Sequence, residues 1–272
     1  MGSIFSRIAN TYYYYRAWRF FRAVGGTGSI TLNMDAETGF AELIIENIKK
    51  RNAISGKMIL EFSEVISTLE KWKEGKALLI RGEGGNFCSG GDLDMVKLLD
   101  DKEKAKYLPV IMTDNLKRLS SLPLVTAVYI NGSGAIGGGS EIAASADVRI
   151  MERGSKIGFV HRKMGIVPAW GGTSRLKRIL GSHKALKILL EGRVYDAEES
   201  LELGLVDYME EDLEGARKRL TSLVDGLQYQ VAQCIKKSVM SDSIEEQGDI
   251  CSELIGGEQN KKALMNRVKH KQ

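Results

Sequence analysis

A mixed α/β domain, made of repeated strand–turn–helix units and closed by a helical C-terminal extension, is what this sequence predicts. Three observations carry that reading. Short apolar runs at Ala77–Ile80 and Leu124–Ile130 each lead into a glycine-dense turn. Segments with apolar residues at three- and four-residue spacing follow or separate them. From about residue 211 onward the helical pattern dominates, with no strand signals. No linker divides the body, and 43% hydrophobic with 27% charged residues is enough to bury a core without disulfides or metal.

Gly39–Ile45 is rich in strand formers and reads as the first strand of the regular region. A helical pattern opens after Asn52 and Ala53, with Met58, Leu60, Phe62, Val65, Ile66, Leu69 and Trp72 on one stripe, until Gly75 breaks it. Ala77–Ile80 is a buried strand, Gly82–Gly91 a glycine-dense loop, and a helix starts near Asp92. A helical stretch over 105–120 ends at Leu122-Pro123, and Leu124–Ile130 is a strong strand. Gly132–Gly139 is the second glycine-rich turn, with a helix from Gly138 to Ser145. Val148–Met151 and Ile157–Val160 read as strands, Gly172–Leu180 as a helix, and Ser182 caps another that runs to about Leu190. Asp196-Ala197-Glu198-Glu199 is a capping-box start, and Gly204 stands where a left-handed C-terminal cap belongs. Leu205–Met209 is a further strand.

Residues 1–27 differ from the rest. Arg7, Arg16, Arg19 and Arg22 precede the first acidic residue, Asp35, and are interleaved with Tyr12–Tyr15, Trp18, Phe20 and Phe21. The composition fits a mitochondrial transit peptide. Met1-Gly2-Ser3-Ile4-Phe5-Ser6 fits the N-myristoylation pattern. The plain alternative is a floppy or surface-docked extension. Contact with a membrane is expected only through this segment, since no apolar run reaches about 18 residues. Three cysteines, Cys88, Cys234 and Cys251, make neither a disulfide framework nor a zinc pair and point to a reducing compartment, the cytosol, with the mitochondrion as alternative.

Two segments carry the chemistry: Asn86-Phe87-Cys88-Ser89-Gly90-Gly91-Asp92-Leu93 and Asn131-Gly132-Ser133-Gly134-Ala135-Ile136-Gly137-Gly138-Gly139-Ser140-Glu141. In each, a strand runs through glycines into a helix start. The first N–H groups of a helix lack internal partners and carry the positive end of its dipole. Two such turns facing one another hold an oxyanion between two donors. Gly132–Gly137 has dinucleotide-type glycine spacing, but no acidic residue ends a following strand, and no Gly-Lys-Ser/Thr makes a phosphate loop.

These two segments, with Gly165-Ile166-Val167-Pro168-Ala169-Trp170-Gly171-Gly172-Thr173 and Ala197–Val206, resemble the crotonase (enoyl-CoA hydratase/isomerase) superfamily in order and spacing. The resemblance implies a spiral of ββα turns over residues 28–210, a helical region over 211–272, and a homotrimer or hexamer. It implies a coenzyme A thioester substrate, an oxyanion hole of the Gly91 and Gly138 amides, and no metal or separate cofactor. Hydratases of this superfamily use two glutamates. Glu141 matches the first, but His161 stands where the second belongs. Phe159–Gly172, with Asn52–Gly56 and Gly181–Lys187, resembles instead a decarboxylating branch acting on 2-carboxyacyl-CoA thioesters such as ethylmalonyl-CoA, with methylmalonyl-CoA a further candidate.

On that resemblance the catalytic residues are Gly91, Gly138, Glu141 and His161. Ala53, Ser89, Gly90, Asp92, Gly137, Phe159 and Trp170 bind substrate, with Asp92 equally suited to capping the next helix. Glu141 is either an orienting group or a proton donor, and His161 positions the substrate carboxylate or supplies a proton. Two other readings stay open: an enoyl-CoA hydratase or isomerase, and a catalytically weak member serving as a binding module for RNA or a membrane protein. No nucleic-acid-binding motif is present at either basic end, so nucleic acid is not expected as a partner.

Overall fold

The computed structural model describes residues 2–266, with side chains from residue 11. The chain opens with helix α1 (Gly2–Val24), followed by strands β1 (Ser29–Asp35) and β2 (Phe40–Glu46). Helix α2 (Gly56–Leu69) buries the predicted stripe, including Met58, Phe62, Ile66 and Leu69, and starts at Ser55, whose hydroxyl accepts the Met58 N–H. Then come β3 (Ala77–Gly82), the one-turn helix α3 (Leu93–Val96), α4 (Tyr107–Ser120), β4 (Val125–Ile130), the short β5 (Ala135–Ile136) and α5 (Gly138–Ala143). Strands β6 (Val148–Glu152) and β7 (Lys156–Gly158) lead through a 3₁₀ turn, Val160–Met164, into α6 (Gly172–Glu191). The chain continues with β8 (Tyr195–Asp196), α7 (Ala197–Leu203) and β9 (Tyr208–Glu210). It finishes with α8 (Leu213–Val224), α9 (Tyr229–Met240), α10 (Ile244–Leu254) and α11 (Glu258–Met265).

Six strands form one sheet in the order β1-β2-β3-β4-β6-β9, and β5-β7-β8 form a second. In the large sheet only the β1–β2 pair is antiparallel. Each turn of the spiral therefore places one strand in the large sheet, one in the small sheet, and then a helix, as β4-β5-α5 and β6-β7-α6 do. Single bridges extend the small sheet: Ile54 pairs with Gly91, and Cys88 with Ala135. Strands β3 and β4 are buried on both faces, which explains their unbroken apolar runs. One face packs against α2 and α4, and the other against Ala216, Leu220 and Val224 of α8 and Ala232 of α9. The C-terminal helices thus share the core of the large sheet.

Several boundaries depart from the sequence reading. The first strand, β1, has no counterpart in it, because most of its residues are at least partly exposed and give no alternation. His161 lies in the 3₁₀ turn rather than at the end of a strand over 157–160. The strand predicted at Leu205–Met209 begins at Tyr208, since Leu205 and Val206 are buried in the turn after the Gly204 cap. The two helices predicted from Gly172 to Leu190 are one element bent at Gly181, whose φ is +77°.

A disordered extension does not describe residues 2–24. They form a helix whose Ala17 and Phe21 are fully buried against α2 and α4. The Tyr14 hydroxyl lies 3.3 Å from Ser63 Oγ, and Arg16 pairs with Glu103 at 3.0 Å. Phe20 packs on Tyr107 with ring centroids 5.5 Å apart. Tyr13, Tyr14, Trp18, Phe20 and Phe21 thus pack on the body, in line with the surface-docked alternative, whereas Tyr12 and Tyr15 are exposed.

Candidate active site

The two glycine turns lie one rung apart in the small sheet. Cys88 N–H donates to the Gly134 carbonyl at 3.2 Å, and Ile136 N–H donates to the Cys88 carbonyl at 3.0 Å. Neighbouring strands are about 4.8 Å apart, so residues 88–91 run beside residues 135–138. A Cβ built on Gly90 would lie 3.0 Å from the Gly138 nitrogen. That spacing lets the Gly91 and Gly138 amides reach a single oxygen.

Their direction is set by the carbonyl at the other end of each peptide unit. The Gly90 carbonyl accepts the Ile54 N–H at 2.8 Å. The Gly137 carbonyl accepts the Ser140 N–H at 3.0 Å and the Ser140 hydroxyl at 2.6 Å. A trans peptide is planar with its C=O and N–H opposed, and no peptide bond here is cis. Anchoring those two carbonyls therefore turns the Gly91 and Gly138 N–H groups the other way. Among the described residues neither N–H donates to another backbone group. Gly90 and Gly137 have φ of +99° and +56°, which only glycine takes without strain.

The Trp170 indole packs against both turns. A Cβ at Gly138 would fall 2.4 Å from it, so no side chain fits there, whereas one at Gly91 would meet Val96, Trp170 and Met95 at 3.4–3.8 Å. Trp170 is itself 4% exposed.

Glu141, in the first turn of α5, is buried and fully engaged on one oxygen. Its Oε1 accepts the Trp170 and Gly172 N–H groups, both at 2.8 Å. Its Oε2 lies 3.0 Å from His161 Nε2. Three contacts of this kind suit an acceptor-only carboxylate, so His161 Nε2 carries the proton and donates it. The remaining ring nitrogen, Nδ1, is buried with no hydrogen-bond partner. Phe159 is fully buried, its ring centroid 6.4 Å from that of the imidazole.

Sequence reasoning missed Arg175. Its guanidinium donates to the Trp170 carbonyl at 2.6 Å. Burial pulls its pKa below the ordinary value, against the opposing charge of Glu141. Four residues after Gly171 on α6, it reaches back to fix the loop that Glu141 grips from the other side. The missed signal was a cation one turn into a helix that opens on Gly171-Gly172.

The other expected substrate contacts are less direct. Asp92 caps α3: Oδ1 accepts the Asp94 N–H at 3.0 Å and Oδ2 pairs with Lys50 at 2.7 Å. Both oxygens are engaged in this way, which is the helix cap that the sequence offered beside a substrate contact. The Ser89 hydroxyl donates to the Lys50 carbonyl at 3.1 Å. Ala53 is buried, its carbonyl accepting from the Asn47 side chain at 2.8 Å. Cys88 is sealed in, and burial pushes its thiol pKa up to about 12, which leaves it unreactive as a nucleophile.

Residues 35–254 match the enoyl-CoA hydratase/isomerase family. The chain belongs to that family. It is 40% identical over 256 residues to the ethylmalonyl-CoA decarboxylase of Mus musculus, covering 89% of this chain and 79% of that protein. It is 38% identical over 256 residues to the ethylmalonyl-CoA decarboxylase of Xenopus tropicalis, covering 90% and 85%. Among solved structures, the enoyl-CoA hydratase of Thermoplasma volcanium superposes with a TM-score of 0.79 at 25% identity, covering 88% of this chain and 97% of that one. AtuE of Pseudomonas aeruginosa superposes equally well, at 0.79 and 23% identity, covering 88% and 96%, and shows the shared fold. The crotonase-like spiral with its helical C-terminal part is therefore the architecture of this family member.

Proposed function

We propose that this enzyme is a carboxy-lyase that decarboxylates 2-carboxyacyl-CoA thioesters, with ethylmalonyl-CoA as the leading substrate. The observation that carries the reading is the buried Glu141–His161 pair, 3.0 Å apart, beside two peptide N–H groups with no backbone acceptor. The likeness to the decarboxylases of mouse and frog supports it.

The bond from C2 to the carboxylate carbon breaks, and its electron pair moves into the C2–C1 bond. The thioester carbonyl pair moves onto oxygen, and CO₂ leaves. Gly91 and Gly138 hold the resulting enolate oxygen; a donor of this kind is worth about 3–4 kcal/mol. The enolate then takes a proton at C2, and the carbonyl re-forms. The thioester carbonyl is the electron sink, so the step calls on no further cofactor.

His161 delivers that proton through Nδ1, the nitrogen that Glu141 does not hold, and regains it from water. Glu141 is then the orienting group: its Oε2 holds Nε2 and fixes the ring. Phe159 and Trp170 supply the apolar wall that favours loss of a charged carboxylate as neutral CO₂.

The purified protein, offered ethylmalonyl-CoA, methylmalonyl-CoA and crotonyl-CoA side by side, is expected to release CO₂ from the first two and to hydrate the third poorly. Fast hydration without CO₂ release would overturn the reading in favour of a hydratase. In D₂O, the wild type is expected to place deuterium on one face of C2. His161→Ala is expected to lose that stereochemical control and at least about tenfold in kcat, since general acids contribute roughly 10²–10⁴-fold. Unchanged turnover and stereochemistry in His161→Ala would remove it from the mechanism. Self-association accompanies this reading: Val239, Ile244, Leu264 and Met265 of α9–α11 are exposed apolar residues that a second copy would cover.

A further inference from the structure

We infer that Asn52 is a positioning residue of the oxyanion hole, acting through Ile54 and the Gly90 carbonyl on the direction of the Gly91 N–H. The inference rests on the reading of Gly91 as an oxyanion donor, and it concerns a residue that makes no contact with the reacting atoms.

Asn52 is fully buried. Together with Arg51 it has positive φ, +57° and +51°, the only two non-glycine residues among those described to do so. Consecutive left-handed residues that carry side chains persist only where surrounding bonds over-determine them. Here those bonds come from the Asn52 side chain. Its Nδ2 donates to the Glu83 carbonyl at 2.8 Å and to the Asn86 carbonyl at 2.6 Å, while its Oδ1 accepts the Asn47 N–H at 2.7 Å. Glu83 and Asn86 begin the first glycine turn. One side chain therefore ties the turn at 47–54 to the base of the loop that ends in Gly91.

The two segments then zip together. Ser89 N–H donates to the Arg51 carbonyl at 3.1 Å, Ile54 N–H to the Gly90 carbonyl at 2.8 Å, and Asp92 N–H to the Ile54 carbonyl at 2.9 Å. Ile54 thus grips the chain on both sides of Gly91. Because the Gly90–Gly91 peptide is planar, any tilt of residues 52–54 is transmitted to the Gly91 N–H. In the second turn the Gly137 carbonyl is held instead by the first turn of α5, and the Gly137 N–H donates to the Gly158 carbonyl at 2.9 Å.

The test is the carbonyl stretch of ¹³C-labelled butyryl-CoA bound to the full chain, read by difference infrared spectroscopy, together with kcat and KM. Both donors polarise that carbonyl and lower its frequency. Asn52→Gly permits the left-handed backbone but removes three side-chain bonds. Asn52→Asp keeps the acceptor for Asn47 and turns a carboxylate oxygen toward two carbonyls. In both, kcat is expected to fall roughly 10–100-fold, less than the 10²–10³ of losing a donor outright. KM is expected to stay within about threefold, as for an interaction made in the transition state, and the frequency shift is expected to shrink. A folded variant with wild-type frequency and kcat overturns the proposal. If neither folds, Ser89→Ala, which removes the Oγ bond to the Lys50 carbonyl, must show the smaller shift, and a wild-type shift there overturns it. A wild-type enzyme that leaves the bound carbonyl frequency unshifted would instead overturn the oxyanion reading itself.

Discussion

The two glycine turns look alike in the sequence but are held by different means. The turn at 86–92 is stitched from outside, by Asn52 and by Ile54 bonding on both sides of Gly91. At the second donor the grip is mostly local: the Ser140 N–H and hydroxyl of its own helix hold the Gly137 carbonyl, the Gly137 N–H donates to the Gly158 carbonyl, and Trp170 closes over Gly138. Their tolerance of a methyl group differs accordingly. The first has ordinary contact distances around Gly91 and the second has none to spare. The lesson is that one donor is positioned by a network and the other by packing. They should fail differently.

The largest effect is expected on the packed side. Glu141→Ala strands two buried N–H groups and His161 Nε2, and each buried donor left without a partner costs about 1–3 kcal/mol. Chemical denaturation should show that loss, with activity below detection; a loss under about 1 kcal/mol would mean that Glu141 does not organise this turn.

Gly138→Ala comes next. Overpacking against Trp170 displaces the donor, and kcat is expected to fall about 10²–10³-fold. Adding Trp170→Phe should recover part of that loss, and a double-mutant cycle with no coupling would break the packing account.

On the stitched side, Asp92→Ala removes the α3 cap and the Lys50 partner. It is expected to cost about 1 kcal/mol in urea denaturation, with KM within about twofold. A large rise in KM would mean that Asp92 contacts substrate as well as capping α3.

Gly91→Ala is expected to do least: stability within about 1 kcal/mol of wild type and kcat within about threefold. A collapse of activity equal to that of Gly138→Ala would erase the distinction between the two turns.

Much of this was legible in the residues. The α2 stripe, the Asp196 capping box, the Gly204 cap and the helix start at Asp92 are local matters, and each stands where the spacing put it. So did the strand–glycine–helix form of both turns. The edge strand β1 was not legible because little of it is buried. The docking of α1 was not legible either, because an arginine-rich aromatic segment reads the same whether it packs on a neighbour or leaves the body.

Residue chemistry alone determined where the chain can turn and which amides lack a helical partner; only the family resemblance marked His161 as standing where a second carboxylate was expected. Tertiary structure alone decided that Gly91 lies one rung from Gly138, that Glu141 reaches both His161 and the Trp170 loop, and that Asn52 stitches residues 31 positions apart. The physical reason is that capping and turn propensity are settled within about four residues. Rung order in a parallel sheet is settled only when distant strands close their hydrogen bonds on a shared core.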